Sequence, residues 1–346
     1  MVSSRFSCTL ITVSSLFLCR GTRFKKRLWS HRTYSTKRVR HMVRVLIADP
    51  IAASAQKRIE DAGFDVVVRD KDADGPISEQ IKGFDCVIVR SATKVTKEVL
   101  EAADNLKLIV RAGVGLDNID LKAAEEVGVK VMNTPEAPTV SVAEMVFALM
   151  FGLARNITQG DSSMKEEKWN KKLLKGTELW QKKLGVIGFG RIGKEIARRG
   201  TSLGMDVLIV EKDRPGREEE CAEVGARQVP LDELIEESDY LTVNVPLVPE
   251  TEGMIGLEEL KRMKESAYLI NTARGGVVDE EALLKALDQD MIAGAGLDVH
   301  VNEPPKKWDL VKHPKVVATP HLASSTSEAQ VRVGELTADK VINEFK

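Results

Sequence analysis

The chain has 346 residues, 43% of them hydrophobic and only 5% aromatic, enough to bury a sizeable core and to divide into two domains. Its formal net charge of -1 conceals an asymmetry: no Asp or Glu precedes Asp49, while that stretch is rich in Arg and Lys, so the remainder is clearly acidic. An acidic body argues against general nucleic-acid binding, which needs Lys and Arg massed against phosphates, and leaves any anionic ligand to a few local arginines.

Residues 1–41, ending before Met42, are Ser-, Arg- and Lys-rich and acid-free, the composition of an organelle import presequence. On that reading the destination is the mitochondrial matrix; if Met42 is the true start, the protein is cytoplasmic. The apolar stretch from Cys8 to Cys19 is poorly flanked for a secretory signal and too short to span a bilayer, so no membrane partner is expected. Of the four cysteines, only Cys86 and Cys221 remain beyond this extension, too few for a disulfide framework. Cys86, in the run Asp85-Cys-Val-Ile-Val, reads as a small buried hydrophobe, and Cys221 as chemically idle. No metal site is expected.

From Met42 onward, short β-branched runs alternate with longer helical patterns, the signature of parallel sheets with crossover helices. Strands are predicted at Val43–Ala48, Asp65–Val68, Cys86–Arg90, Leu106–Val110 and Val129–Met132, with helices at Ala52–Ala62, Thr96–Ala103 and Leu121–Val127 between them. A long helix is predicted over Val140–Ile157, crossing from one domain to the other. A second unit begins at Lys183, with strands at Leu184–Gly188, Asp206–Val210, Leu241–Val245, Ala267–Asn271, Ala293–Leu297 and Val316–Thr319. The tail, Ser327–Phe345, is helical in pattern and is expected to return to the first domain. The fold class is therefore α/β, two doubly wound parallel-sheet domains with a cleft between them. The expected division is 42–138 with 322–346 as the substrate-binding domain and 139–321 as the dinucleotide-binding domain.

Gly188-Phe-Gly190-Arg-Ile-Gly193 follows an apolar strand and opens a helical pattern at Arg191. The first glycine permits a tight turn, the second lets backbone approach a pyrophosphate, and the third lets helix and strand pack closely. Glu211 stands 18 residues beyond Gly193, at the end of the next strand, where a carboxylate accepts hydrogen bonds from ribose hydroxyls. This selects NAD, with Lys212 and Arg214 leaving some NADP use open.

Three segments just past later strands carry the candidate chemistry: Asn271-Thr-Ala-Arg274-Gly-Gly, Leu297-Asp298-Val-His-Val-Asn-Glu303-Pro-Pro and Thr319-Pro-His321. Oxidising a 2-hydroxy acid by hydride transfer needs a base for the hydroxyl proton and a cation for the carboxylate. His321 is the candidate acid/base, because imidazole both takes and returns protons near neutral pH. Glu303 would hold the ring and favour its charged form, and Arg274 would bind the carboxylate through paired hydrogen bonds. Singly, Arg274 reads equally well as an ion pair, Glu303 as a loop charge and His321 as a cap; jointly the three point to catalysis. His31 and His41 lie in the extension, and His300 and His313 have loop contexts without a defined charge partner.

The chain resembles the D-2-hydroxyacid dehydrogenase family over essentially everything after Met42. The likeness rests on Val89-Arg90-Ser-Ala-Thr-Lys94-Val-Thr, Arg111-Ala-Gly-Val-Gly-Leu-Asp-Asn, Met164-Lys-Glu-Glu-Lys-Trp, Arg274-Gly-Gly-Val-Val-Asp-Glu and Ser327-Glu-Ala-Gln. It implies the Arg274, Glu303 and His321 triad. It also implies a cofactor shell of Val114, Arg191, Ile192, Glu211, Val245, Thr272, Ala273, Asp298 and Ala323. Arg90 and Arg111, with Lys94 as a weaker companion, would bind the phosphate or carboxylate of 3-phospho-D-glycerate, the substrate the resemblance favours, in a step that opens serine biosynthesis. Homodimers or homotetramers are implied as well. Relatives often carry Gly and Ala where this sequence has Ala323 and Ser324, and they vary at Glu136 and Pro138. The sequence ends at Lys346, so a regulatory C-terminal domain is not expected. Two alternatives stand beside this reading: a glyoxylate or hydroxypyruvate reductase using the same three residues, and a nicotinamide-sensing corepressor scaffold that works through protein contacts.

Overall fold

A computed structural model describes residues 42–70, 75–212 and 215–346. The proposed presequence with Cys8, Cys19, His31 and His41, and also Arg214, lie outside the described residues. Among those described, no single helix is long and apolar enough to cross a membrane.

The first sheet is built from β1 (Arg44–Ile47), β2 (Asp65–Val68), β3 (Cys86–Val89), β4 (Leu108–Arg111) and β5 (Lys130–Asn133), in the order β2-β1-β3-β4-β5 and parallel throughout. Helices α1 (Ala53–Asp61), α2 (Ile77–Gln80), α3 (Lys97–Ala102) and α4 (Leu121–Glu126) make the crossovers. The four residues of β3 are fully buried, as a parallel strand covered on both faces must be. That includes Cys86, whose thiol is pushed well above its ordinary range by burial, with Asp85 next in effect, so it is inert.

The chain then enters α5 (Thr139–Ala154) and α6 (Ile157–Lys165). The single helix predicted over Val140–Ile157 ends earlier, because Asn156 takes a left-handed backbone (φ 50) and the two helices meet at a 62° bend. Asn tolerates that conformation better than most residues, and no apolar spacing marks it in the sequence.

The second sheet comprises β6 (Lys183–Ile187), β7 (Asp206–Val210), β8 (Ala226–Gln228), β9 (Tyr240–Val243), β10 (Tyr268–Asn271), β11 (Gly294–Leu297) and β12 (Val316–Ala318). Their order is β12-β11-β10-β9-β6-β7-β8, all parallel. Connecting them are α7 (Arg191–Ser202), α8 (Arg217–Glu223), α9 (Leu231–Glu237), α10 (Leu257–Arg262), α11 (Glu280–Asp288) and α12 (Asp309–Lys312). Strand order reverses at β6, so its carboxyl end and that of β9 form the crevice where open sheets bind ligands. The last helix, α13 (Ser327–Phe345), packs on α1 and β4 of the first sheet, with Val333, Ala338 and Val341 in that core and Phe345 edge-on to Phe64.

Helix α5 seals one face of the second sheet, and its fit leaves no room at β11, where a Cβ on Gly296 would come within 2.9 Å of Leu149 Cβ. Gly296→Ala is therefore expected to lower unfolding stability by about 1–3 kcal/mol, read from urea midpoints. An unchanged midpoint would show that α5 is looser than this packing requires.

Candidate functional site

At the end of β6 the chain turns through Gly188, whose φ of 91 is open to glycine alone, and enters α7 at Arg191. A Cβ on Gly193 would run into the Gly188 carbonyl, and one on Gly188 would lie 2.7 Å from the Asn244 carbonyl past β9. Only glycine lets turn, helix and neighbouring strand approach so closely. Beside Gly190 lies open space, and the first amides of α7 have no partner within a helix. Glu211 is fixed by two backbone donors, Phe189 N–H to Oε2 at 2.9 Å and Lys212 N–H to Oε1 at 2.9 Å. It borders a cavity of about 1000 Å³ also lined by Val210, Gln228 and Pro230. Asn244 Oδ1 and Thr272 Oγ1, past the ends of β9 and β10, are buried without a hydrogen-bond partner. An open phosphate cradle, a braced carboxylate and unpaired polar atoms along the crevice fit a dinucleotide.

The adjacent strands β10, β11 and β12 end together and deliver the three catalytic candidates. His321 Nδ1 lies 2.8 Å from Glu303 Oε2, with both side chains partly exposed. The Glu303 carboxylate is itself held through Oε1 by the His300 amide at 3.2 Å. Gly275, next to Arg274, is pressed so closely on the His300 backbone that a Cβ there would clash with it. Arg274 thus stands against the loop that carries Glu303, and its Nε donates to Asp117 Oδ2 at 3.0 Å on the first sheet's side of the cleft.

The loop after β12 is organised by Asp298, which is fully buried. Its Oδ1 accepts from Thr319 Oγ1 at 2.5 Å and Leu322 N–H at 2.7 Å, and its Oδ2 from Ala323 N–H at 2.8 Å. The His321 amide donates to the Asp298 carbonyl at 2.8 Å, and His321 sits at φ 54. A bulky residue adopts that backbone only where its surroundings enforce it.

Opposite, Asp49 plays the same part for the first sheet. It is 2% exposed and accepts from the Arg90 amide at 2.7 Å, the Thr93 amide at 3.1 Å and Thr93 Oγ1 at 2.8 Å. Asn118 closes the loop by donating to the Arg90 and Thr93 carbonyls. Arg111, at the end of β4, is pushed down to about 10 by burial first and then by the Arg274 guanidinium, with Arg90 acting in the same direction and Asp117 and Asp49 opposing. Its Nε is buried without a partner. Three guanidinium groups sharing so little water repel one another, and an anion between them relieves that repulsion.

The residues expected for the site fall into distinct places. His321 and Glu303 form a hydrogen-bonded pair, Arg274 stands at the neighbouring strand end, and Arg274 and Arg90 both act electrostatically on Arg111; Lys94 is exposed on the Arg90 loop. Gly188, Gly190, Gly193, Arg191, Ile192, Glu211 and Val245 border the β6 crevice, and Thr272 and Ala273 lead into Arg274. Val114 stands nearby, its carbonyl accepting from Asn133. Asp298 and Ala323, expected in the cofactor shell, are both buried and bonded to each other, and together they build the His321 loop. Asp49 and Asp117 were not anticipated; Asp49 ends an apolar strand, a signal that marks a loop anchor only once burial is known. His300 is buried with its amide on Glu303, and His313 lies 3.6 Å from Asp288, away from the triad's contacts.

Residues 147–323 match the family model described as D-isomer specific 2-hydroxyacid dehydrogenase, NAD binding domain. The chain belongs to the D-isomer specific 2-hydroxyacid dehydrogenase family. The matched domain is the family's NAD binding domain, and the chain's two parallel sheets match the solved structures of the family. It is 42% identical over 301 residues to a D-3-phosphoglycerate dehydrogenase of Methanocaldococcus jannaschii, covering 87% of this chain and 57% of that protein. A Thermotoga maritima hydroxypyruvate reductase is 45% identical over 268 residues, 77% of this chain and 86% of its own length. A crystal structure of D-lactate dehydrogenase from Aquifex aeolicus, complexed with NAD and lactic acid, superposes with a TM-score of 0.76 at 31% identity, covering 86% of this chain and 94% of that one. The chain spans a little over half the length of the phosphoglycerate dehydrogenases it matches.

Asp298→Asn sets an amide donor against one of three donors in a dry site. It is expected to cost about 1–3 kcal/mol of stability, measured by denaturant unfolding. A variant as stable as the parent would remove Asp298 from its organising role.

Proposed function

We propose that this protein oxidises 3-phospho-D-glycerate to 3-phosphohydroxypyruvate with NAD. The observation that carries this reading is the pairing of His321 with Glu303 at 2.8 Å beside a guanidinium cluster too crowded to be content without an anion. A substrate with a carboxylate at one end and a phosphate at the other matches two groups of cations: Arg274 for the carboxylate, and Arg90 and Arg111, with Lys94, for the phosphate. The Gly188–Gly193 turn and Glu211 would hold NAD, which would supply the acceptor for hydride from C2. With Nδ1 turned to Glu303, Nε2 of His321 takes the C2 hydroxyl proton as the carbonyl forms and returns one in the reverse direction. Glu303 keeps the ring oriented, and Arg274 polarises the forming carbonyl while holding the carboxylate. Likeness at 41% to 43% identity to several D-3-phosphoglycerate dehydrogenases supports this substrate.

The second reading is reduction of hydroxypyruvate or glyoxylate, favoured by the Thermotoga relative, which this chain matches over most of its length. It would use the same triad without the phosphate contacts. For either substrate we propose that two copies pair, as a homodimer or within a homotetramer. The exposed Met164, Trp169, Leu173 and Trp180, on and after α6, support pairing there.

A spectrophotometric screen of NAD and NADP reduction across phosphoglycerate, glycerate, lactate and 2-hydroxyglutarate is expected to give fastest turnover with phosphoglycerate and NAD. Arg90→Ala is expected to raise the KM for phosphoglycerate by roughly 10- to 100-fold and to leave that for glycerate nearly unchanged. An unaltered phosphoglycerate KM would move the assignment to the second reading.

A further inference from the structure

In the fold Arg217 is 7% exposed and reaches from α8 to the phosphate-binding turn. Its Nη1 donates to the Phe189 carbonyl at 3.3 Å and to Glu220 Oε2 at 3.1 Å, and its Cζ stands 5.6 Å from the Phe189 ring centroid. Lys194 of α7 flanks the same ring at 5.8 Å and pairs with the same Glu220 oxygen at 3.1 Å. Glu220 therefore bridges two cations, one on each helix, and both stand beside the fully buried Phe189 ring. Burying a guanidinium is unfavourable unless an opposite charge and hydrogen bonds compensate; here Glu220 supplies the charge and the Phe189 carbonyl of the glycine turn accepts a hydrogen bond, while Nε is buried without a partner.

Phe189 is also the residue whose amide holds Glu211 Oε2. Its carbonyl accepts from Arg217, its amide orients the carboxylate, and the Arg217 and Lys194 charges stand 5.6 and 5.8 Å from its ring centroid. Arg217 and Glu211 border the same cavity. We propose that Arg217, through Glu220 and Phe189, is a positioning residue for the NAD site: it presets the Gly188–Gly190 turn and the direction of Glu211, and with them affinity for the cofactor and discrimination against a 2'-phosphate. It touches neither the reacting carbon nor the catalytic triad.

The test is fluorescence titration with NADH and NADPH, which reads binding without turnover or a known substrate. Arg217→Ala is expected to weaken NADH binding about tenfold and to narrow the NADH-to-NADPH preference, because a carboxylate free to swing rejects the extra phosphate less well. Arg217→Lys, which keeps the charge beside Glu220, is expected to recover most of both. Glu220→Gln preserves shape and removes the bridge, so it supplies the same readout should Arg217→Ala fail to fold. The proposal is overturned if NADH affinity stays within about twofold of the parent, or if affinity falls with the preference unchanged, the result that general loosening of the fold gives.

Discussion

A carboxylate with no access to water sets the geometry of this molecule's working end. Asp298 follows β11 and gathers a threonine hydroxyl and two amides from the segment after β12. The Asp298 carbonyl takes the amide of His321 as well. A buried ionised group is tolerated only when its lone pairs are used, so the loop has little choice of path. The consequence is a histidine in a left-handed backbone, its ring turned onto Glu303. Strand order brings Arg274 to the next strand end along, and the chemistry follows from that adjacency.

The first sheet repeats the device with Asp49, which fixes the loop bearing Arg90. Two buried aspartates, Asp49 past β1 and Asp298 past β11, thus hold opposite walls: one holds the loop of the His321–Glu303 pair, the other the loop of Arg90. Between them Arg274 is tethered to Asp117 and crowded by Arg111. A pocket with surplus positive charge on a net acidic protein is selective by construction. Small anions are drawn to one place and repelled elsewhere.

Much of this could be read from the residues. Parallel strands betray themselves as β-branched runs because both faces are buried, and β2 and β7 have the bounds their sequences imply. The edge strand β8, Ala226–Gln228, carries no apolar run and escaped notice, since half its surroundings are solvent and short helices. The end of α5 was placed too late because the backbone of Asn156 is decided by how α6 packs, not by local spacing. Among site residues, Arg274, Glu303 and His321 are legible because hydride chemistry asks for a base, its brace and a cation at strand ends. Asp49 and Arg217 were not, because each acts through burial, and burial of a charged residue is a property of the assembled fold.

The central claim is that the imidazole of His321 moves the substrate proton. Single-turnover stopped-flow measurement of NADH formation from phosphoglycerate, comparing the parent with His321→Gln at saturating NAD, addresses it directly. The account predicts hydride transfer slower by about 10²- to 10⁴-fold, with NADH affinity retained. A variant that reacts within a few-fold of the parent rate would contradict it.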